Sequence, residues 1–240
     1  MKLLTAIPVY NEDQHLEPVL QEVRRYAPEI LVVNDGSTDR TPQLLARQSG
    51  LHLITHPHNC GYGAAIRSAI GYALAHHYDV LVTMDCDGQH EPARIPVLLE
   101  ALSADVDIVS GSRYLRSFRQ NTVPPPDRQR INRQITAELN ARFGLQLTDA
   151  FCGFKAYRVP ALARLTLTES GWGMPLQLWV QAAVLGLRIR EVAVPLLYLD
   201  PNRAFGGVLD DPAERLAHYR GVIEREAARQ MVGCDKGRCE

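Results

Sequence analysis

Apolar residues in the first half of the chain come in short, nearly continuous runs. Leu3 to Val9, Ile30 to Val33, Leu51 to Thr55, Val80 to Met84 and Val106 to Ser110 have the pattern of strands buried on both faces. Between them lie stretches with helical spacing: Gln14 to Tyr26, a segment starting near Asp39, Gly63 to His76, and Ile95 to Leu102. Strand and helix in strict alternation predict an α/β domain with a mainly parallel sheet and helices on both faces. The second half is less regular. Pro124-Pro125-Pro126 reads as a chain break in a mobile loop. Beyond it Ile131, Ile135, Leu139 and Phe143 recur every four residues, the stripe of an amphipathic helix that packs on a core. Phe151 to Tyr157 reads as extended, Leu176 to Val184 as helical, Leu187 to Val194 as extended and continuing past Pro195 through Leu196 to Leu199, and Glu214 to Met231 as a closing helix. No repeat, low-complexity segment or linker divides the chain, so a single domain is expected over residues 1–210, with a helix and tail over 211–240 packed on it or trailing from it.

Composition narrows the partners. The 240 residues are 46% hydrophobic, enough for a real core. Lys plus Arg number 26 and Asp plus Glu 27, so the net charge of -1 offers no global attraction for nucleic acid. Arginines nevertheless gather between Arg113 and Arg142, either as a solvated helix face or as a local phosphate site. Five cysteines, Cys60, Cys86, Cys152, Cys234 and Cys239, together with a start that runs straight into a strand, point to reduced thiols in a cytoplasm. No apolar stretch approaches the roughly 20 residues of a membrane span. The expectation is therefore a protein with no transmembrane segment, cytoplasmic or peripheral to the membrane.

Polar residues with chemical potential sit where the predicted strands stop, the edge at which open α/β sheets bind ligands. Asp85-Cys86-Asp87-Gly88-Gln89 follows the fourth strand. Its carboxylates and amide suit a hard divalent cation, although an isolated Asp-x-Asp is also a common polar turn. Asn34-Asp35-Gly36-Ser37, Gly61-Tyr62-Gly63 and Gly111-Ser112-Arg113-Tyr114 end other strands or open the helices after them. Residue 66 is isoleucine, so the dinucleotide fingerprint fails, and no P-loop is present.

Taken in order, Ile7-Pro8-Val9-Tyr10-Asn11-Glu12, Asn34-Asp35-Gly36-Ser37-Thr38-Asp39, Asn59-x-Gly61-x-Gly63, Asp85-x-Asp87-Gly88-Gln89-His90, Gly111-Ser112-Arg113-Tyr114, Asp149-x-x-x-Gly153-Phe154-Lys155-x-Tyr157-Arg158 and Asn202-Arg203-x-Phe205-Gly206 resemble the inverting family 2 glycosyltransferases. The chain is most similar to their dolichyl-phosphate mannosyltransferase-like branch, over roughly residues 3 to 210. The resemblance implies a Rossmann-like GT-A fold, a nucleotide-sugar donor such as GDP-mannose or UDP-glucose, and a Mg2+ or Mn2+ cofactor. It implies donor contacts at Pro8, Tyr10, Glu12, Asp35, Gly61 and Gly63, and a metal and diphosphate site at Asp85, Asp87 and Gln89. It also implies catalytic roles for Asp87 and for the phosphate-side arginines Arg113 and Arg203. The acceptor stays open between a polyprenyl phosphate at a membrane face and a hydroxyl. The branch usually carries Gly-x-Ser-Lys after its last arginine, whereas here the run is Arg203-Ala204-Phe205-Gly206-Gly207-Val208-Leu209. A hydroxyl acceptor needs a general base. Gln177 occupies the place where a carboxylate is often found, which leaves Asp149, as base or as brace, and then Glu169. Trp172 is an acceptor-side candidate, and Trp179 is expected in the core. A nucleotidyltransferase would carry a Gly-rich basic loop after the first strand and is disfavoured. A non-catalytic nucleotide-sugar binder is the alternative.

Overall fold

The computed structural model describes residues 1–199 and 204–236. The elements run β1 Leu3–Val9, α1 Leu16–Val23, β2 Ile30–Asn34, α2 Thr41–Leu45, β3 His52–Thr55, α3 Tyr62–Ala75, β4 Val80–Thr83, α4 Ile95–Ala101, β5 Ile108–Ser112, α5 Pro126–Phe143, β6 Lys155–Arg158, α6 Val159–Leu162, α7 Met174–Val184, β7 Ile189–Ala193 and α8 Pro212–Lys236. Among the described residues the strands form one seven-stranded sheet in the order β3-β2-β1-β4-β6-β5-β7. All neighbours pair in parallel except β6, which runs antiparallel to both β4 and β5.

The continuous apolar runs are explained by burial on both faces of the sheet. Successive residues alternate between two cores, as the two-residue period of a strand requires. Leu4, Ala6, Leu31, Val33 and Leu81 face the core made with α3, α5, α7 and α8. Ile7, Val9, Ile30, Val32, Val80 and Val82 face the core made with α1 and α4. The stripe on α5 packs as expected: Ile131, Ile135 and Leu139 are buried, and Phe143 is partly buried against the same core.

Three expectations need correction. The triple proline does not interrupt the structure: Pro124 is buried, Pro125 caps α5 and Pro126 opens it. A proline at the first helical position gives up an N–H that has no helical partner, and its φ is already helical. Only the last part of the Phe151–Tyr157 segment is strand; the first part is a loop. Leu196 to Leu199 forms no regular strand, and is instead tied to the loop before α5 by Thr122 N donating to Leu196 O (2.8 Å) and Leu196 N donating to Asn121 Oδ1 (3.0 Å).

The reversed strand decides where the site lies. Because β6 runs antiparallel, its N-terminal end lies at the edge where β1, β2, β4 and β5 finish. The loop Asp149 to Phe154 is thereby delivered to that edge. Trp179 of α7 anchors the loop: it is fully buried and its Nε1 donates to Ala150 O at 2.8 Å. Trp179→Ala should therefore cost about 3–5 kcal/mol through loss of volume. Trp179→Phe, which keeps most of the volume but orphans the Ala150 carbonyl, should cost about 1–3 kcal/mol. Urea unfolding of the two variants measures both.

Candidate active site

A cavity of about 700 Å³ opens at the carboxyl edge of the sheet. Pro8, Tyr10, Glu12, Asp35, Gly61, Asp85, Asp87, Gln89 and Arg113 all line it, although they come from segments far apart in the chain. At one end, the loop after β1 locks to the loop after β2. Asn11, held at φ +55°, accepts from the amide of Thr38 (2.8 Å), and its own amide donates to Ser37 Oγ (3.0 Å). Glu12 N donates to Thr41 Oγ1.

Asp35 is buried and tied down on three sides. It accepts from Cys60 N (2.9 Å), Gly61 N (2.8 Å) and His56 Nδ1 (2.6 Å), and His56 Nε2 meets Ser68 Oγ at 2.8 Å. Asp35, His56 and Cys60 bring metal-binding atom types within 4.8 Å of one another. Both Asp35 oxygens, however, already accept these hydrogen bonds, so the cluster is read as a clamp that fixes the loop before α3. Gly61 caps α3 at φ +98°, and a Cβ there would lie 2.4 Å from Ser170 O. Gly63, expected at the donor, is not on the cavity wall. It is buried under the 169–170 backbone, where a Cβ would lie 2.4 Å from Glu169 O, so its small size serves helix-to-loop packing.

Asp85 and Asp87 follow β4. His90 is not at the wall: its Nδ1 accepts from the Asp85 amide (3.0 Å) and its ring stacks on Phe154, so it braces the loop from behind. Asp87 Oδ1 accepts from Gln89 N (3.0 Å). A Cβ on Gly153 would lie 2.7 and 2.8 Å from the Asp85 carboxylate oxygens and 2.8 Å from the Tyr62 hydroxyl, so only glycine leaves room there. Burial and then the Asp85 charge push the Tyr62 phenol well up, which keeps it a donor toward that carboxylate. Two carboxylates and the Gln89 side-chain amide on one wall, with Gly153 leaving the Asp85 carboxylate its room, offer the oxygen donors that fit a hard divalent cation.

Asp149 is not a base exposed to a substrate. Its carboxylate is fully buried and accepts from Arg113 Nε (2.6 Å), Arg113 Nη2 (2.9 Å) and Asn132 Nδ2 (2.7 Å). Burial alone would raise its pKa, but the Arg113 guanidinium outweighs it and holds the carboxyl at about 2. Such a group takes up no proton near neutrality, and Asp149 is a brace that aims Arg113 at the cavity. Glu191 of β7 holds the same loop by accepting from Thr148 N, Thr148 Oγ1 and Asp149 N.

Gln177 and Glu169 are likewise occupied elsewhere. Gln177 Oε1 accepts from the amides of Thr168 and Glu169, and its Nε2 donates to Glu226 on α8 (2.7 Å). Glu169 Oε1 accepts from Gly171 N, and neither residue reaches the wall. Arg203 lies outside the described residues.

Several wall residues escaped the sequence reading. Arg128 and Asn132 of α5, Tyr198, and Arg215 and Tyr219 of α8 all line the cavity. Arg128 donates to Tyr198 OH (2.7 Å), and both Arg128 and Arg215 place their guanidinium carbon 4.5 Å from the centre of the Phe205 ring. Trp172 does line the cavity, stacked on Tyr62 (5.2 Å) with its Nε1 donating to Phe205 O. Arg128 belongs to the basic stretch noted above. Arg215 and Tyr219 lie on a helix whose pattern alone signals only packing.

The Arg113–Asp149 pair makes a test. Asp149→Asn keeps the shape but strands a buried guanidinium, and should cost about 3–5 kcal/mol. With its folded pKa depressed, Asp149 contributes stability that is present above its unfolded pKa near 4 and lost as pH falls toward about 2. The variant should therefore lose less stability than wild type over that acid range, as measured by urea unfolding at stepped pH.

The Glycosyl transferase family 2 signature matches residues 5–166. Undecaprenyl-phosphate mannosyltransferase of Micrococcus luteus is 31% identical, over 97% of this chain and 100% of that protein. Polyprenol monophosphomannose synthase of Mycolicibacterium smegmatis is 33% identical, over 93% of this chain and 89% of its own. In fold, the chain superposes on glucosyl-3-phosphoglycerate synthase of Mycobacterium tuberculosis bound to UDP, with a TM-score of 0.73 at 20% identity, covering 95% of this chain and 80% of that one. A complex of that enzyme with Mn2+, UDP and phosphoglyceric acid gives a TM-score of 0.71 at 19% identity, over 94% and 78%. The fold is thus GT-A, and the chain belongs to glycosyl transferase family 2 and is a glycosyltransferase.

Proposed function

We propose that the protein transfers a hexose, with inversion, from a nucleotide sugar to a polyprenyl phosphate. GDP-mannose is the favoured donor and UDP-glucose the alternative. The observation that carries the acceptor choice is the state of Asp149. The nearest base candidate is consumed in aiming Arg113, and the wall it serves carries three arginines, Arg113, Arg128 and Arg215, of which Arg113 and Arg215 are fixed in place by Asp149 and Asp127. A hydroxyl acceptor needs a group to take its proton, whereas a phosphate monoester is already an anion and needs only to be held. Arginine forks suit that task. Two relatives are named for polyprenyl-phosphate or polyprenol-phosphate mannosyl transfer, which supports the same reading.

The other end of the cavity takes the donor. Pro8, Tyr10, Glu12, Asp35 and Gly61 form the nucleoside part, and Arg203 is assigned to the phosphates from the sequence alone. Asp85, Asp87 and Gln89 would hold Mg2+ or Mn2+, ions that accompany UDP in the structurally similar synthase. That ion would supply positive charge against the diphosphate as it leaves. In the reaction an acceptor phosphate oxygen attacks the anomeric carbon. The bond from that carbon to the diphosphate oxygen breaks on the opposite face, and the electron pair departs with the nucleoside diphosphate. Arg113 contributes fixed charge near the reacting phosphates, held rigid by its buried partner. The helix expected over 211–240 packs on residues 1–210, and the catalytic unit we propose includes it, a reading supported by Arg215 and Tyr219 of α8 on the cavity wall.

Incubation with labelled GDP-mannose, undecaprenyl phosphate and Mn2+ should move label into the organic phase. Asp87→Ala should lower that rate by about 10²–10³-fold and abolish the Mn2+-dependent rise in melting temperature with GDP. An unchanged shift in this variant would overturn the metal assignment. Transfer to simple hydroxyl sugars, but not to the lipid phosphate, would overturn the acceptor.

A further inference from the structure

The rim of the cavity has a second chemical character. Five of the ten large apolar side chains exposed among the described residues are Tyr10, Leu115, Val123, Leu199 and Val208. Tyr10 lines the cavity, and each of the others lies within two residues of one that does: Tyr114, Pro124, Tyr198 and Gly206. Val123 is 89% exposed and Val208 74%. The segments that carry Val123 and Val208 are brought together by the joint between α5 and α8. Asp127 pairs with Arg215, which donates to Leu209 O (2.9 Å) in the short 3-10 turn Gly207–Asp210 that carries Val208.

Exposed arginines lie among these residues. Arg116, Arg119 and Arg130 are exposed, and no acidic side chain among the described residues pairs with them. On other faces Arg25, Arg188 and Arg220 are held by Glu22, Asp107 and Glu138. From residue 113 to 133 the sequence holds Arg113, Arg116, Arg119, Arg128, Arg130 and Arg133 against one acid, Asp127, which is itself tied to Arg215. No described helix is long and apolar enough to cross a membrane.

We infer that this rim is a docking face for an anionic lipid bilayer, with Leu115, Val123 and Val208 inserting among the headgroups and Arg116, Arg119 and Arg130 meeting their phosphates. Single aliphatic tips separated by arginines fit an interface of mixed headgroup and acyl chain, which rewards modest apolar insertion together with cationic contact. A protein partner would call for a contiguous apolar patch, which this rim lacks. The inference rests on the proposed lipid-phosphate acceptor in one respect: docking here sets the cavity mouth against the membrane, so a lipid-borne phosphate enters without leaving its leaflet.

The test is sedimentation with vesicles containing no polyprenol. Wild-type protein should pellet with vesicles of equal phosphatidylcholine and phosphatidylglycerol, less so as salt rises, and much less with phosphatidylcholine alone. Val123→Asp/Val208→Asp and, separately, Arg116→Glu/Arg119→Glu/Arg130→Glu should each lower the bound fraction by about tenfold or more. Both variants should keep the wild-type melting temperature and its rise with GDP and Mn2+, because none of these residues lines the cavity. Failure of wild type to bind the anionic vesicles, or undiminished binding by both variants, would overturn the docking face. Vesicle binding lost in the variants, by a protein that transfers nothing to undecaprenyl phosphate, would uphold the face while removing the acceptor assignment.

Discussion

A buried charge must be matched, and in this protein that requirement falls on Asp149 and Arg113. A carboxylate fully removed from water is tolerable only with an opposite charge and full hydrogen bonding. Arg113 gives two side-chain donors, Asn132 a third, and the Phe151 amide a fourth. Each partner comes from a different piece: Arg113 from the end of β5, Asn132 from α5, Phe151 from the loop into β6. Thr136 extends the lattice by donating to Asn132 and accepting from the Ala150 amide. The wall of the cavity that carries Arg113 and Asn132 is assembled around this single ion pair, and the orientation of its guanidinium follows from it.

Sheet topology does the same for the wall that carries Asp35, Asp85 and Asp87. Parallel strands stop at one edge, so their trailing loops meet although they are distant in sequence. The one reversed strand adds its leading loop to the same edge. Gly153 then comes to lie directly behind the Asp85 carboxylate, where any side chain would collide with it. The Asp85 carboxylate and the ion pair are thus both held by one backbone segment only a few residues long, from Asp149 to Gly153.

The hydrophobic pattern in the first half predicts its strands and helices to within a few residues, because every strand from β1 to β5 is a short apolar run between polar turns. Nine of the positions implied by the family resemblance also line the cavity; strand ends must converge in such a sheet, but it is the family motifs that pick out the individual residues. What the sequence hid is of a different kind. Whether Asp149 acts as base or brace depends on the depth of its burial and on Asn132, seventeen residues away along a helix. Gly63 sits beside Gly61 in sequence but on the far side of the helix start, under a loop more than a hundred residues later. Arg128, Arg215 and Tyr219 reach the wall only because α5 and α8 pack side by side. Their local patterns carry no mark of that, beyond the excess of arginine between residues 113 and 142.

The helix α8 gives the cavity part of its wall through Arg215 and Tyr219, and its Glu226 takes the amides of Gln177 and Gln181 in α7. During synthesis a domain folds as a unit, and α8 is the last described element of this one. Until residue 226 has left the ribosome, the buried glutamines of α7 lack their carboxylate and the apolar face that receives Tyr219, Val222 and Ile223 stays bare. A nascent chain at that stage lacks the part of the cavity wall that Arg215 and Tyr219 supply, so the cavity is completed only when α8 docks.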